Sequence, residues 1–311
     1  MTIATASGKA ILFGEHAVVY GRPAIAVPIG RGYVRAEIRP APNGQGIRVE
    51  APDLGRVVIC ERADPDDPLS LIVMLTLKKL GLLFPQSIVI TVRSELPVAR
   101  GLGSGAAVST AIVRALAAYF SKAISPAVVS ELVFETEKLY HGHPSGIDNT
   151  VIAFEQPVYF VQGRPPEILR IGTPFTLLIA DTGIPSSTRE VVNDVRRARD
   201  GDRTHYETLF DAIGRLTEAG RAAIEAGDIQ QMGGLMNENH SLLQALGVSC
   251  PELDILVEAA CAAGALGAKL CGAGRGGNMI ALPAPENEQR VLDALTKAGA
   301  MGIISARLGA S

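Results

Sequence analysis

The sequence predicts an α+β protein in which strands and helices are mixed but do not alternate strictly. Segments with the strand period dominate before residue 170, and amphipathic helical segments dominate after it. The Walker pattern G-x-x-x-x-G-K-[ST] is absent, and no G-x-G-x-x-G opens a first βαβ unit. We therefore predict two-layer packing of helices on sheets rather than a doubly wound sheet, in two domains, residues 1–170 and 171–311.

Composition and charge exclude several classes of function. The 311 residues suffice for a full hydrophobic core, and a net charge of −3 argues against general affinity for nucleic acid or anionic membranes. The four cysteines form no C-x-x-C pair, which indicates reduced thiols. We expect a cytoplasmic protein, because we find neither a signal-peptide pattern nor an apolar run of the roughly 18 residues that span a bilayer.

The first half of the chain combines strands with helices. Apolar alternation or continuous apolar runs predict strands at residues 3–13, 24–29, 33–38, 46–51, 57–60 and 87–94. Helical spacing of apolar residues predicts helices at residues 69–83, 106–121 and 126–140. The segment HGHPSGID, residues 141–148, fits neither period and is predicted to be a loop.

The second half begins with short strands and continues mainly as helices. Strands are predicted at residues 157–162, 167–171 and 176–181, and three or four amphipathic helices between residues 189 and 258. Residues 269–282 have the pattern of a strand, a glycine-rich loop and a second strand. A helix at residues 286–298 and a strand at 302–308 complete the prediction.

A glycine-rich loop between a strand and a helix is the first candidate site. It lies in ELPVARGLGSGAAVSTAIVRALAAYF, residues 95–120. Glycines let backbone N–H groups approach a ligand, and the following helix directs its unpaired N–H groups and positive dipole end at the same place. The segment therefore predicts an anion site, with phosphate as the usual anion, although such a loop can also serve only as a connection.

The segment GKAILFGEHAVVYGRPAIAVPI, residues 8–29, is the second candidate. Lys9, Glu15 and His16 bring a cation, an acid and an imidazole to one strand edge. Alternatively, Lys9 and Glu15 are solvated strand ends and His16 is an ordinary turn residue.

The segment KLCGAGRGGNMIAL, residues 269–282, is also rich in glycine. Ala273 and Arg275 interrupt its glycines, and the flanking residues have the strand pattern. The segment suits either a tight turn between strands or a loop that faces a ligand.

A pair of carboxylates around HGHPSGID is the last candidate. The turn-forming proline and glycine of this segment direct Asp148 toward a cleft, and Glu137 lies one to two helical turns before the loop. Paired carboxylates near a phosphate site indicate one metal ligand and one base. The closely spaced His141 and His143 do not indicate zinc, because no third ligand follows at usable spacing.

Together, these segments resemble the motifs of the GHMP kinases, a family that includes galactokinases and homoserine kinases. The resemblance is carried by GKAILFGEH, PVARGLGSGAA, HGHPSGID and KLCGAGRGG, in that order, and covers nearly the whole chain. Within the family, GKAILFGEHAVVYGRPAIAVP and E-K-L-Y-H-G-x-P-S-G-I-D-N-T are most similar to members that phosphorylate mevalonate. The resemblance implies a ribosomal S5-like N-terminal domain, a ferredoxin-like C-terminal domain, and transfer of the γ-phosphoryl group of ATP to the 5-hydroxyl of mevalonate.

The resemblance also implies a role for each matching residue. Asp148 matches the catalytic aspartate, Lys9 the lysine that accompanies it, and Glu137 the carboxylate that binds Mg²⁺. The residues expected to bind ATP are Pro97, Arg100, Gly101, Leu102, Gly103, Ser104, Gly105 and Ala106. The residues expected to bind mevalonate are Glu15, His16, His141, Thr188 and Ala273. We expect no nucleic acid or membrane partner, and a homodimer is common among similar proteins.

Two departures from the family pattern concern the metal and the phosphates. In the family, the residue after Ser104 is a second serine, and the hydroxyl of that second serine binds Mg²⁺. In this chain the position is occupied by Gly105. Cys271 and Arg275 replace a threonine and a glycine of the last motif, and Arg275 is expected either to contact phosphate or to point into solvent. The alternative functions are phosphorylation of the mevalonate 3-hydroxyl or of a phosphomevalonate, and nucleotide binding without catalysis.

Overall fold

The computed structural model describes residues 1–42, 44–82, 86–96, 101–141 and 144–309. The chain forms two compact units, each assembled from separate stretches of sequence. The first unit contains Met1–Gly8, Gly30–Val98 and Gly103–Glu155, and the second contains Lys9–Ile29, Ala99–Leu102 and Gln156–Ser311. Strands β1 (Thr2–Phe13) and β2 (Ala24–Pro40) contribute residues to both units. The domain boundary that the sequence suggests at residue 170 stays a prediction.

The first unit combines a sheet with helices. Its further strands are β3 (Ile47–Ala51), β4 (Arg56–Ile59) and β5 (Ile88–Ser94), in the order β4-β3-β5-β2. Strands β3 and β5 are parallel, and the other pairs are antiparallel. The helices are α1 (Pro68–Lys79), α2 (Ser104–Tyr119), α3 (Pro126–His141) and α4 (Ile147–Phe154).

Small side chains let the helices of this unit pack closely around α2. Its sequence, SGAAVSTAIVRALAAY, is rich in alanine, and most of its residues are buried where it contacts α1, α3 and α4. The hydroxyl groups of Ser109 on α2 and Thr136 on α3 are hydrogen-bonded at 3.1 Å. The side-chain amide of Asn149 on α4 donates to the carbonyl oxygen of Ser130 on α3 at 3.1 Å. These bonds hold α3 to α2 and to α4.

The second unit contains an antiparallel sheet and a larger set of helices. Short strands come first, β6 (Val158–Phe160) and β7 (Glu167–Ile168), and β6 pairs with both β7 and β2. The sheet has the order β11-β8-β10-β9, with β8 (Phe175–Asp181), β9 (Ala265–Cys271), β10 (Asn278–Pro283) and β11 (Gly302–Leu308). The helices are α5 (Thr188–Gly201), α6 (Arg203–Ala226), α7 (Ile229–Ala245), α8 (Pro251–Ala262) and α9 (Glu288–Lys297). Within the described ranges, no helix is both long and apolar enough to cross a membrane.

The α+β class predicted from the sequence is confirmed, and one pair of predicted strands proves to be a single strand. Residues 24–29 and 33–38 both belong to β2, which continues because its two ends pair with different partners. Its first residues pair with β6, and residues from Val34 to Pro40 pair with β5. The glycines at positions 30 and 32, between the two predicted strands, lie inside β2.

The loop predicted at residues 141–148 was also partly wrong, because residues 147 and 148 belong to helix α4. Asp148 lies in the first turn of this helix, directly after Gly146 at φ 93°. The Thr150 hydroxyl donates to the Gly146 carbonyl oxygen at 2.6 Å and so supports the start of the helix. A helix of 8 residues is too short for its period to be recognised in the sequence.

Candidate active site

The turn that follows β1 in the second unit, Gly14-Glu15-His16, has an unusual backbone. Gly14 has φ of 96°, and a Cβ atom there would lie 2.5 Å from the Cα atom of Ala24. His16 has φ of 60° and ψ of −48°, and non-glycine residues rarely adopt a positive φ. Such a conformation costs roughly 1–3 kcal/mol and persists only where surrounding contacts hold it.

A hydrogen bond to the loop between β9 and β10 holds His16. Its Nε2 atom lies 2.9 Å from the carbonyl oxygen of Ala273. Burial of the ring lowers the His16 pKa to about 4, so the imidazole is uncharged at neutral pH. Because a carbonyl oxygen only accepts, Nε2 carries the proton and Nδ1 is left as an acceptor. Two residues expected to bind mevalonate, His16 and Ala273, are thus in direct contact.

The loop between β9 and β10 is held against backbone on two sides. A Cβ atom on Gly274 would lie 1.9 Å from the carbonyl oxygen of Val248, and one on Gly276 would lie 2.7 Å from that of Ile184. The backbone N–H of Gly277 donates to the same Ile184 oxygen at 2.8 Å. Glycine is therefore required at positions 274 and 276 by close backbone contact.

Arg275, the non-glycine residue in the middle of this loop, is bound on both its backbone and its side chain. It has φ of 55°, and its backbone N–H donates to the Val248 carbonyl oxygen at 2.8 Å. Its Nε donates to the Gly247 carbonyl oxygen at 3.2 Å, and its Nη1 forms an ion pair with Asp194 Oδ2 on α5 at 2.5 Å. The hydrogen bond from Arg275 lowers the pKa of the Asp194 carboxyl. The guanidinium therefore connects the loop to α5, an arrangement that neither expectation for this residue included.

A small pocket in the second unit brings several predicted residues together. It is lined by Gly101, Ser186, Thr188, Cys271, Ala273, Gly274, Gly276 and Gly277. Thr188 and Ala273 were expected to bind mevalonate, and Gly101 was expected to bind ATP. Gly101 approaches the last motif closely, since a Cβ atom there would lie 3.4 Å from the Cys271 carbonyl oxygen.

Strand β1 is hydrogen-bonded to both glycine-rich segments within this unit. The backbone N–H of Lys9 donates to the Leu102 carbonyl oxygen at 3.1 Å, and the side chain of Lys9 is buried. The backbone N–H of Ile11 donates to the Cys271 sulfur at 3.3 Å. Burial raises the pKa of the Cys271 thiol, so an uncharged thiol stands where the family pattern has threonine.

In the first unit, the predicted phosphate-binding residues lie at the start of α2. Gly103 precedes the helix with φ of 72°, and Ser104, Gly105 and Ala106 belong to its first turn. N–H groups of a first helical turn have no partner within the helix and attract anions. The anion site predicted for these residues stays a prediction.

The two predicted carboxylates lie on α3 and α4. Glu137, near the end of α3, is buried, and Asp148, in the first turn of α4, is half-buried. Thr136, next to Glu137, is the residue through which α3 bonds to α2. The Glu137 carboxylate offers oxygen ligands, which Mg²⁺ prefers, so the chemistry of this residue fits the ion.

Three predicted residues cannot be placed. Pro97 and Arg100 lie outside the described residues, as does the side chain of His141. Their roles in binding ATP and mevalonate stay predictions.

Sequence reasoning missed partner residues that hold the predicted ones. Lys269 and Asn239 bond to Glu15, and Asp194 bonds to Arg275. Lys269 carried a signal, because it is a charged residue in the otherwise uncharged strand ALGAKLC. Asn239 and Asp194 lie on helices with many polar residues, so nothing in the sequence distinguished them.

Comparisons with known proteins agree with this fold and this set of motifs. A family profile described as GHMP kinases N terminal domain matches residues 70–156, and one described as GHMP kinases C terminal matches residues 221–300. The mevalonate kinases of Thermococcus sibiricus and Pyrococcus abyssi are each 36% identical, over 97% and 98% of this chain and 95% of each relative. The crystal structure of L. major mevalonate kinase in complex with R-mevalonate has a TM-score of 0.84 and 29% identity, covering 100% of this chain and 97% of that one. The Methanococcus jannaschii mevalonate kinase structure has a TM-score of 0.85 and 26% identity, covering 98% and 97%.

The chain therefore belongs to the GHMP kinases, and the resemblance seen in its motifs is confirmed. The relatives named above, which match nearly its whole length, are all mevalonate kinases. As a member of a kinase family, the chain is an enzyme with ATP as its phosphoryl donor.

The buried His16 predicts a pH dependence of stability. Its pKa is about 4 in the folded chain and about 6.5 when unfolded, so the unfolded state binds more protons between these values. Stability is therefore lost as the pH falls from about 6.5 to 4, by roughly 2–3 kcal/mol from this group. Urea unfolding at pH 7 and pH 4 should show this additional loss in the wild type relative to His16→Gln.

Exposed His205 provides the control for this measurement. The variant His205→Gln should keep the wild-type dependence on pH. Equal losses in the wild type and in His16→Gln would contradict the burial of an uncharged imidazole.

Proposed function

We propose that this chain transfers the γ-phosphoryl group of ATP to the 5-hydroxyl of mevalonate, giving 5-phosphomevalonate for isoprenoid precursor biosynthesis. The observation that carries the proposal is the second-unit pocket, where Thr188 and Ala273 lie together and His16 binds the Ala273 carbonyl oxygen. These residues match the family's mevalonate positions. Support also comes from relatives of 33–36% identity along nearly the whole chain, all mevalonate kinases.

Asp148 and Lys9 are the proposed catalytic residues. Phosphoryl transfer passes through a loose transition state, so positioning and charge stabilisation matter more than a strong base. The Asp148 carboxylate accepts the hydroxyl proton late in the transfer. The Lys9 ammonium stabilises the negative charge that develops on the attacking oxygen.

The phosphates of ATP are proposed to bind along residues 97–106, with the N–H groups at the start of α2 as donors. Glu137 would hold Mg²⁺, which supplies neutralisation of phosphate charge when it is bound. Gly105 provides no side-chain ligand.

The missing hydroxyl at Gly105 leads to a prediction about the metal. The variant Gly105→Ser, which restores the family's second serine, should lower the Mg²⁺ concentration that gives half-maximal rate. Gly105→Ala is the matched control, because it adds the same Cβ atom without an oxygen. An equal effect of alanine and serine, or no effect of serine, would show that this position is not a ligand.

A substrate panel tests the proposed reaction directly. The purified chain is supplied with ATP and, separately, mevalonate, phosphomevalonate, galactose or homoserine. Phosphorus NMR of the mevalonate product distinguishes the two hydroxyls, because a 5-phosphate couples to a CH₂ group and a 3-phosphate on a tertiary carbon does not. Phosphorylation of another substrate would support a different GHMP kinase, and no product would support a nucleotide-binding protein.

A homodimer and a cytoplasmic location remain proposals from the sequence. Light scattering on the purified chain measures its mass in solution. A mass near 32.6 kDa, that of one chain, would contradict the dimer.

A further inference from the structure

A buried ion pair lies behind the turn that contains His16. The Lys269 ammonium on β9 donates to Glu15 Oε1, and also to the Leu270 carbonyl oxygen at 2.8 Å. The side-chain amide of Asn239 on α7 donates to Glu15 Oε2 at 3.2 Å. Glu15 is 1% exposed, and Lys269 and Asn239 are both 0% exposed. Both oxygens of the Glu15 carboxylate are therefore bound by protein groups away from solvent.

Glu15 and His16 contact the same strand–loop segment at two points. Glu15 is bound by Lys269 within β9, and His16 donates to Ala273 in the loop that follows β9. The backbone of His16 is strained at φ 60°, so contacts around the turn must hold it in place. The ion pair and the histidine bond supply this support together.

We infer that Lys269, assisted by Asn239, is a positioning residue for the mevalonate site, and that Glu15 acts through the turn instead of contacting mevalonate. The inference rests on the proposed function, because it concerns the mevalonate side of that site. It changes the role that the family resemblance implied for Glu15. The reason is that the hydrogen bonds of this carboxylate are directed into the protein, toward Lys269 and Asn239.

An ion pair at this place determines geometry more than stability. A buried ion pair adds little to stability compared with apolar packing of similar volume. A buried ammonium group nevertheless requires its acceptor within hydrogen-bond distance, because an unpaired buried charge is very unfavourable. Lys269 is therefore satisfied in one alignment of β9 with the turn, and that alignment also places His16 against Ala273.

The test removes the pair in steps. Lys269→Met and Glu15→Gln each leave one buried partner alone and should lower the melting temperature. The double variant Glu15→Gln/Lys269→Met contains no buried charge at this place and should recover most of that loss. Lys297→Met, the same substitution at an exposed position on α9, is the matched control and should behave as the wild type.

Steady-state kinetics with mevalonate and ATP varied separately measure the positioning effect. In the folded double variant, kcat/KM for mevalonate should fall roughly 10- to 100-fold, as expected for a site displaced by up to about 1 Å. The KM for ATP should stay within about twofold, because a loss confined to the mevalonate side does not alter nucleotide binding. A double variant that keeps the wild-type kcat/KM for mevalonate would overturn the inference.

Asn239→Leu keeps the test decisive if the double variant does not fold. It retains the ion pair and removes one hydrogen bond to Glu15, and it should lower kcat/KM for mevalonate about threefold. A folded Asn239→Leu variant with an unchanged kcat/KM would then overturn the inference.

The NMR signals of the His16 ring separate this inference from the proposed function. In the double variant, the released ring should titrate closer to the ordinary histidine pKa, whereas the wild-type ring titrates near 4. This readout does not need a substrate. If the wild type fails to phosphorylate mevalonate but the His16 titration moves in the double variant, the proposed function fails. The role of Lys269 in positioning the turn then still stands. If mevalonate is phosphorylated and neither kcat/KM nor the titration changes, the positioning role alone fails.

Discussion

Replacing Asp148 with asparagine is expected to lower kcat by about 10²–10⁴-fold, the range for loss of a general base. Asparagine has nearly the size of aspartate, and Asp148 is half-buried in the first turn of α4, so the fold should be retained. The loss of a negative charge at this helix start should lower stability by at most about 1 kcal/mol. ATP affinity, measured by titration calorimetry, should change little, because this carboxylate is proposed to act on the alcohol.

The control for this experiment is Asp293→Asn, at an exposed position on α9. It should keep the wild-type kcat. Turnover by Asp148→Asn within a few-fold of the wild type would contradict the assignment of the base. Lys9→Met belongs to the same prediction. It should lower kcat by about 10²–10³-fold, which is the usual effect of removing one group that stabilises charge in the transition state.

Replacing Gly274 with alanine is expected to destabilise the fold by roughly 3 kcal/mol or more. The added Cβ atom would lie 1.9 Å from the Val248 carbonyl oxygen, so the backbone of the loop or of residue 248 has to move. Overpacking of this kind costs roughly 1–3 kcal/mol, and the positive φ of 82° adds strain of roughly 1 kcal/mol or more. The free energy of unfolding in urea measures the sum.

Gly21 is a matched control, because it has nearly the same φ without the contact. Its φ is 79°, and a Cβ atom there would meet no atom within 4 Å. Gly21→Ala should therefore show the conformational strain alone, roughly 1 kcal/mol. If both alanine variants lose the same stability, the close contact at Gly274 has no energetic effect.

The predicted site residues that the structure brings together were recognisable because their motifs are local. His16, Thr188 and Ala273 each belong to a short segment with a characteristic pattern, and the structure places His16 against Ala273 and Thr188 in the same pocket as Ala273. The helix predicted at residues 106–121, from the glycine-rich loop and the alanine-rich run after it, corresponds to α2, which begins two residues earlier at Ser104. Local patterns of this kind predict secondary-structure elements, and the roles of the candidate residues stay predictions.

Partners from distant parts of the chain were not recognisable in the same way. The bond between Glu15 and Lys269 joins residues far apart in sequence, and no pattern along the chain links them. Glu15 could be identified as a candidate, but its burial and its orientation toward Lys269 depend on how β9 packs. Helix α4 was missed for a different reason, since its 8 residues contain too few turns for a period to be seen.

The ion pair of Arg275 with Asp194 makes the energetics of positions 275 and 194 depend on each other. Glycine is favoured at a residue with φ of 55°, so the arginine at this position carries backbone strain. The ion pair with Asp194 and the bond to the Gly247 carbonyl oxygen compensate for that strain. Replacing Asp194 therefore leaves the arginine strained and without this ion-pair partner, so the effects of substitutions at positions 194 and 275 on stability should not be additive.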